Sequence, residues 1–314
     1  LEMASFNTAG EDMAVDTIGE NATAGSTMDY RRELAPHEFR GDYATFQDFT
    51  GCSMEQELGV AMQLKKSSKY FRRLRYVKSC EDVPKLLESV REMKEDFTWS
   101  VSFDTQLVAN LARHGFLPMC IQAFSDYAVL APKLHKKRCI MDFSDLHVPK
   151  SVKKRSSRFR VSVDECFDYC IKMCCEQHGD HCWFYPALIK AYKNIFRSPN
   201  GVNGVSMHSV EVWFGDDVVA GEIGYACGGV YTSLSGFSNK DSAGTIQCCC
   251  IPKLLKASNF DFWDLGMTME YKTKLGGRAV PRHEFLGRLF SSRDKQTRLV
   301  CPKHNHAREI LNMA

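Results

Sequence analysis

The run "FDFWDLGMTMEYKTKLGGRAVPRHEFL" (Phe260–Leu286) ends an apolar stretch on a carboxylate, Asp264. A carboxylate at a strand end can hold a cation or accept a proton from a reacting group. It can equally cap the helix predicted to begin near Met267, a use worth about 1 kcal/mol. The residues alone leave both readings open. Three basic stretches offer a second chemistry: "KKSSKYFRRLRYVK" (Lys65–Lys78), "KLHKKR" (Lys133–Arg138) and "HVPKSVKKRSSRFR" (His147–Arg160). Lys and Arg attract phosphates while interleaved aromatics stack on exposed bases, so such stretches suit a nucleic acid. The plain alternative for any one of them is a solvated face.

Thiols are the third possibility. The chain has 14 cysteines, and Cys166, Cys170 and Cys174 recur four apart, which is one face of a helix. Thiols on one face need partners from elsewhere to surround a tetrahedral ion, and no C-x-x-C pair occurs. His178, His181 and Cys182 lie nearby, and "CPKHNH" (Cys301–His306) is a second weak metal pattern. The expectation is no metal, with cysteines serving as small core hydrophobes in a reducing compartment. The CPKHNH stretch is expected to be a solvated tail.

These groups must be positioned by regular elements. "MEQELGVAMQL" and "DVPKLLESVREM" have helical patterning. "FDTQLVANLARHGFLPM" reads as a helix capped by Asp104, with Leu107, Val108 and Leu111 on one face and Gly115 ending it. "FRVSV" is a strand, followed by a helix opened by Asp164 and a second with Pro186 in its first turn. "HSVEVWF" and "VVAGEIGYA" are strands joined at Gly215-Asp216-Asp217, and "GGVYTSL" is a third. "GTIQCCCIPKLLKAS" is helical but interrupted at Pro252. "FDFWDL" is a buried strand, "MTMEYKTKL" a helix closed by Gly276, and "PRHEFLGRLF" a last helix started by Pro281.

At 314 residues, 44% hydrophobic and 25% charged, the composition is that of a globular protein of about two domains. No apolar run approaches the roughly 18 residues of a membrane span, so no membrane partner is expected. The N-terminus lacks a basic region before an apolar core, so no secretory leader is expected. Leu1-Glu2 ahead of Met3 reads as a cloning remnant. Residues 1–30 lack apolar periodicity and read as a disordered leader. No internal repeat and no Gly-rich phosphate loop is present.

The order His208–Trp213 (H-S-V-E-V-W), Gly221–Gly224, Phe237-Ser238, Asp264 and "KLGGRAVPRHEFL" (Lys274–Leu286) resembles the bacterial leucyl/phenylalanyl-tRNA–protein transferases. Upstream, "TQLVANLARHGFLPM", "LHVPKSVKKR" and Trp183 resemble that family's segments too, so the likeness covers about residues 100–290. The resemblance implies a mixed α/β (α+β) protein, with a small N-terminal α/β domain and a domain of the GCN5-related N-acetyltransferase fold. On this chain that gives residues 31–95 as a helical extension without a family counterpart, 96–150 as the small domain, 151–292 as the catalytic domain and 293–314 as a tail. It also implies a cytoplasmic, monomeric enzyme without cofactor or metal, since the tRNA ester is already activated. Its partners would be aminoacyl-tRNA and acceptor proteins with an exposed N-terminus, whose modification marks them for degradation.

Carried over residue by residue, the resemblance makes Asp264 the catalytic carboxylate. It places Trp183, Glu222, Tyr231, Leu234, Gly236, Phe237 and Gly266 at the amino-acid and acceptor pocket. The basic entrance to the second domain would meet the tRNA acceptor stem through Lys150, Lys153, Lys154, Arg155, Arg158 and Arg160. Departures are concentrated in the pocket. Gly266 stands where the family has a relay Gln, Leu234 where it has Glu, Glu222 and Gly236 where it has Met, and Tyr231 where it has Phe. The upstream Trp-Trp pair is absent from "YAVLAPKLHKKR". A buried Glu in a pocket for Leu or Phe is costly unless paired. Two other readings therefore stand beside a transferase of altered specificity: a catalytically reduced RNA-binding or adaptor protein on the same scaffold, and, ranked lowest, an acyl-CoA-dependent acyltransferase.

Overall fold

The computed structural model describes residues 28–39, 52–90, 95–124, 127–302 and 306–313. It is a mixed α+β structure built on one seven-stranded sheet. In chain order its strands are β1 (Lys137–Met141), β2 (Arg160–Val163), β3 (Val205–Phe214), β4 (Asp217–Cys227), β5 (Val230–Ser238), β6 (Phe262–Gly266) and β7 (Arg278–Pro281), arranged in space as β7-β1-β6-β5-β4-β3-β2. All neighbours are antiparallel except β5 and β6, whose parallel register pairs Phe262 with Val230 and Asp264 with Thr232. β6 pairs only as far as Thr232, while β5 runs on to Ser238. The two parallel strands therefore part at Thr232.

Each face of the sheet is covered by helices, as sheets buried on both sides require. One face packs on Thr105–Arg113, Phe167–His178, Pro186–Arg197 and Arg282–Ser292, whose buried side chains share a core with Ile223, Tyr225, Phe237 and Phe262. The other packs on Ala243–Ala257 and the last helix, Ala307–Leu311, with Tyr231, Trp263 and Leu265. A third core gathers Ala61, Leu64, Phe71, Trp99, Ile121 and Val129 around a two-stranded sheet of Cys120–Phe124 and Tyr127–Leu130. Trp99 is fully buried there, and its Nε1–H donates to the Phe71 and Leu74 carbonyls. The residues on either side of position 95 thus share one core.

Local signals behave as expected where backbone chemistry dictates them. Asp104 caps Thr105–Arg113 by accepting from the Leu107 N–H, and Gly115 takes the left-handed conformation (φ 87°) that ends it. Gly215 turns the β3–β4 hairpin at φ 63°. Elsewhere packing overrides them. Ala243–Ala257 is one continuous helix through Pro252, because Ile246, Cys250 and Leu254 bury against the sheet. Asp164 does not open the following helix, which starts at Phe167 after Cys166; at φ 61° it accepts from the Ser209 N–H and the His208 ring instead. β1 and β7 are strands that the basic surroundings of "KKRCIM" and "GRAVP" conceal.

Residues 303–305 of the stretch expected to be solvated lie outside the described residues; on either side of them the tail is docked. The Ala307 N–H donates to the Phe159 carbonyl, Ile310 and Leu311 are buried, and Lys253 Nζ donates to the Met313 carbonyl. Most of the disordered-leader expectation falls on residues 1–27, outside the described residues. Tyr30 is described: it packs edge-on against Tyr169 and Trp213 and donates to Asp217. All 14 cysteines are free thiols; Cys170 and Cys174 are buried along one face of Phe167–His178, as their spacing predicts, while Cys166 is buried just ahead of the first turn. Among the described residues no group of three metal-ligating side chains converges, and no helix is long and apolar enough to cross a membrane.

Candidate active site

Asp264 is the middle residue of β6, where its parallel pairing with β5 ends, and is fully buried. It does not cap a helix: the next one is Glu270–Lys274, preceded by Met269 with no side-chain cap. Its carboxylate accepts four hydrogen bonds. Arg138 on β1 donates Nε–H to Oδ1 and an Nη2–H to Oδ2, each at 2.8 Å. Thr232 Oγ1–H donates to Oδ2, and the Gly266 N–H to Oδ1, both at 2.9 Å. Gly266 takes φ 71° to turn its N–H back, a conformation a side chain resists. Burial works against the Arg138 charge, but the Asp264 carboxylate more than offsets it and holds the guanidinium above its ordinary pKa. The Phe285 ring supports the guanidinium from beneath at 4.6 Å.

The Gly-Gly and Pro-Arg corner that follows explains how this pair is held. Arg282 reaches from the start of Arg282–Ser292 to Asp96 and to the Leu134 carbonyl, tying the corner to the chain just before β1. Nearby His135 is driven down to about 2 by burial and then by Arg138, so it stays neutral.

On the opposite face of the same strands is a second polar group. Glu222 is buried, and its Oε1 accepts from Ser233 Oγ–H at 2.8 Å; Ser233 in turn accepts from Trp263 Nε1–H at 2.8 Å. Burial pushes the Glu222 carboxyl up to about 7, against the pull of Ser233, Tyr231 and Lys272. Lys272 Nζ itself donates to the Leu265 and Met267 carbonyls, and burial lowers its pKa. Tyr231 is buried with its hydroxyl directly over Gly224, where a Cβ would lie 2.4 Å from the oxygen. Gly224 must therefore lack a side chain.

The sheet separates the residues that the sequence grouped as one pocket. Leu234 and Phe237 pack with half-buried Trp183 on the Asp264 face, whereas Glu222 and Tyr231 point to the other. Gly236 pairs with Glu222 across β4–β5. The basic residues also divide. Lys150, Lys153, Lys154 and Arg155 are exposed on the helix Lys150–Arg155, and Arg155 donates to Ser242 Oγ. Arg158 and Arg160 lie over the Phe214 and Trp213 rings at 4.9 and 4.3 Å, and Arg160 also faces Glu165 at 3.7 Å. Lys153 and Lys154 line an open cleft of about 340 Å³ together with Ser156 and, from the last helix, Arg308, Leu311 and Asn312. Sequence reasoning missed Arg138, whose apolar neighbours "CIM" were the signal, and Arg308, which only tertiary docking reveals.

The "HSVEVW" motif forms a network of its own. Glu211 is buried and accepts from Ser162, Ser209 and the Cys166 N–H, while Trp213 Nε1–H donates to Ser162. Burial raises the Glu211 carboxyl, and these donors oppose the rise.

A family model described as leucyl/phenylalanyl-tRNA protein transferase matches residues 140–290. A leucyl/phenylalanyl-tRNA–protein transferase of Anaeromyxobacter sp. (strain K) is 30% identical over 167 residues, covering 51% of this chain and 68% of the relative. The chain belongs to the leucyl/phenylalanyl-tRNA–protein transferase family. Similar proteins of the same name include one from Pseudomonas fluorescens (strain Pf0-1), 30% identical over 55% of this chain and 74% of the relative. One from Pseudomonas syringae pv. syringae (strain B728a) is 27% identical over 69% of this chain and 92% of the relative. The family model begins at Ile140, inside β1, and ends at Phe290 in the helix beneath Arg138. It therefore spans both carboxylates, Asp264 and Glu222, and starts just after Arg138.

Proposed function

We propose that this protein is an aminoacyl-tRNA–protein transferase, moving an aminoacyl group from its tRNA ester to the N-terminal amine of an acceptor protein. Membership of the family carries the reading, and the point where β5 and β6 part supports its location. A GCN5-related N-acetyltransferase-like arrangement is the finer reading of this sheet, supported by its single parallel pair and the divergence after Thr232. The edge of β5 from Ser233 to Gly236 that β6 leaves unpaired is suited to an extended chain, whose backbone can add to a sheet edge.

In the reaction the neutral amine attacks the ester carbonyl carbon. A C–N bond forms, the C–O bond to the ribose breaks, and the proton lost by nitrogen ends on the ribose oxygen. An amine already close to the carbonyl gains most of its rate from position. Asp264 has all four acceptor directions in use, so taking a proton would require releasing Thr232 or Gly266. We therefore assign Asp264, with Arg138, the role of fixing the β6 end and its local field. Trp183, Leu234 and Phe237 would contribute apolar walls on that face.

Lys150, Lys153, Lys154 and Arg155 are proposed to meet the phosphates of the tRNA acceptor stem, with Arg158 and Arg160 at the margin of that surface. We place the unit that carries this chemistry at about residues 137–292, because β1 supplies Arg138. A cytoplasmic setting suits both partners. The test is transfer of labelled amino acids from bulk aminoacyl-tRNA to peptides differing in their first residue. Transfer by the wild type supports the reading; tRNA binding without transfer of any amino acid overturns it. Reversal of Lys153, Lys154 and Arg158 to Glu should weaken tRNA binding and flatten its salt dependence, by about one unit of slope for each phosphate no longer neutralised.

A further inference from the structure

Three carboxyl groups are buried in the large sheet, and two have their donors built in. Asp264 accepts four hydrogen bonds, two of them from a guanidinium, and Glu211 accepts three. Glu222 accepts one within ordinary geometry, from Ser233. Among the described residues no Arg or Lys forms an ion pair with it, since Lys272 directs its ammonium to two backbone carbonyls. Beside it, the fully buried Tyr231 hydroxyl has no partner in strict hydrogen-bond geometry, yet it lies close enough to Glu222 to pull on the carboxyl as an off-line donor. A buried carboxylate with one well-formed hydrogen bond and a buried hydroxyl held off the ideal geometry are expensive to keep.

The same group lies beside the stretch of β5 that β6 leaves unpaired. Gly236 faces Glu222 across the β4–β5 pairing and brings no side chain of its own to pack on it; a Cβ built there would lie 3.4 Å from Glu222 Cβ. Ser233 through Gly236 are partly exposed, on the stretch of β5 that β6 leaves unpaired.

We infer that Glu222, Tyr231 and Ser233 form a receptor for a cationic nitrogen, an ammonium or guanidinium group, presented by a substrate. The cation would give Glu222 the charge partner that Arg138 gives Asp264, and the Tyr231 oxygen a donor to accept from. Ser233, fixed by Trp263, holds the carboxyl in place. Because burial favours the neutral acid, cation binding draws a proton off Glu222 near neutral pH. The groups that act on this titration are Ser233 and Tyr231 on β5, Lys272 and Tyr271 on the short helix Glu270–Lys274, Cys248 on Ala243–Ala257, and Cys170 and Cys174 on Phe167–His178. Two sources could bring the cation: the side chain of the transferred amino acid, or a basic first residue of the acceptor. The choice between them rests on the transferase reading; the binding itself does not.

The test measures binding and transfer separately. N-acetylarginine methyl ester and N-acetyllysine methyl ester are titrated calorimetrically into the full chain against N-acetylcitrulline methyl ester, which has the same shape as the arginine probe without the charge. The cationic esters should bind about tenfold or more tighter, and Glu222→Gln, which keeps shape and Ser233 contact, should abolish the difference. Tyr231→Phe should reduce it by a smaller factor, which keeps the test sound if Glu222→Gln folds poorly. Equal binding of the charged and uncharged arginine analogues by the wild type, or discrimination that survives Glu222→Gln in a folded variant, overturns the receptor. In transfer assays, arginyl- or lysyl-tRNA favoured over leucyl-tRNA assigns the donor side chain, and a preference for basic acceptor peptides assigns the acceptor. Absence of all transfer overturns the transferase reading and leaves the binding result to decide the receptor.

Discussion

Asp264 and Glu222 are two buried carboxyl groups on opposite faces of one sheet, the first held from β1, β5 and β6 and the second from β5, and their surroundings are opposite. Asp264 is saturated with donors and bound to a guanidinium. Glu222 has one hydroxyl and an idle tyrosine beside it. A sheet interior can thus use a charge as a fastening on one side and keep a carboxyl available on the other. Availability is what a substrate can exploit, and saturation is what a fold can rely on.

The contrast can be broken in graded ways. The largest effect is expected from Arg138→Ala, which leaves an uncompensated buried charge and should cost about 3–5 kcal/mol in chemical denaturation. Replacing the pair together by Met and Leu should recover most of that loss, because apolar groups of similar volume avoid the desolvation. Next, the Glu222 carboxyl, raised by burial to about 7 from the usual 4.5, binds more protons folded than unfolded between those values. Its contribution is therefore fully present below about pH 4.5 and lost as pH rises through about 7, on the order of 3 kcal/mol. Melting curves against pH should show that decline in the wild type and not in Glu222→Gln. Ser233→Ala removes the donor that favours the ionised form; it should cost about 1–2 kcal/mol and move the decline to higher pH.

How much of this was legible follows from where each signal resides. The Asp104 cap, the Gly115 stop and the Gly215 hairpin depend on neighbours within a few residues, and the sequence displays them. Asp264 stood out because it ends an apolar run. Its partner did not, because Arg138 lies in a basic stretch that resembles a solvated face, and only the pairing of β1 with β6 brings it inside. The same holds for Glu222: its place in a strand was readable, but the idle hydroxyl beside it depends on Gly224 letting the Tyr231 ring lie across β4. Pro252 misled in the other direction, because burial of its helix outweighs one missing backbone bond. The separation of Trp183 and Leu234 from Glu222 by the thickness of a sheet is invisible to motif order.

The position of β1 has a consequence for the making of the protein. Arg138 and Asp264 are 126 residues apart in the chain, and β1 lies between two strands that are synthesised after every other strand of the sheet. At about 5–20 residues per second, the strand that carries Arg138 emerges from the ribosome roughly 6–25 s before its carboxylate partner exists. Throughout that interval its guanidinium stays hydrated and its "CIM" edge unpaired. Sheet closure is thus a late, long-range event, and the completed ion pair reports that the whole domain has arrived.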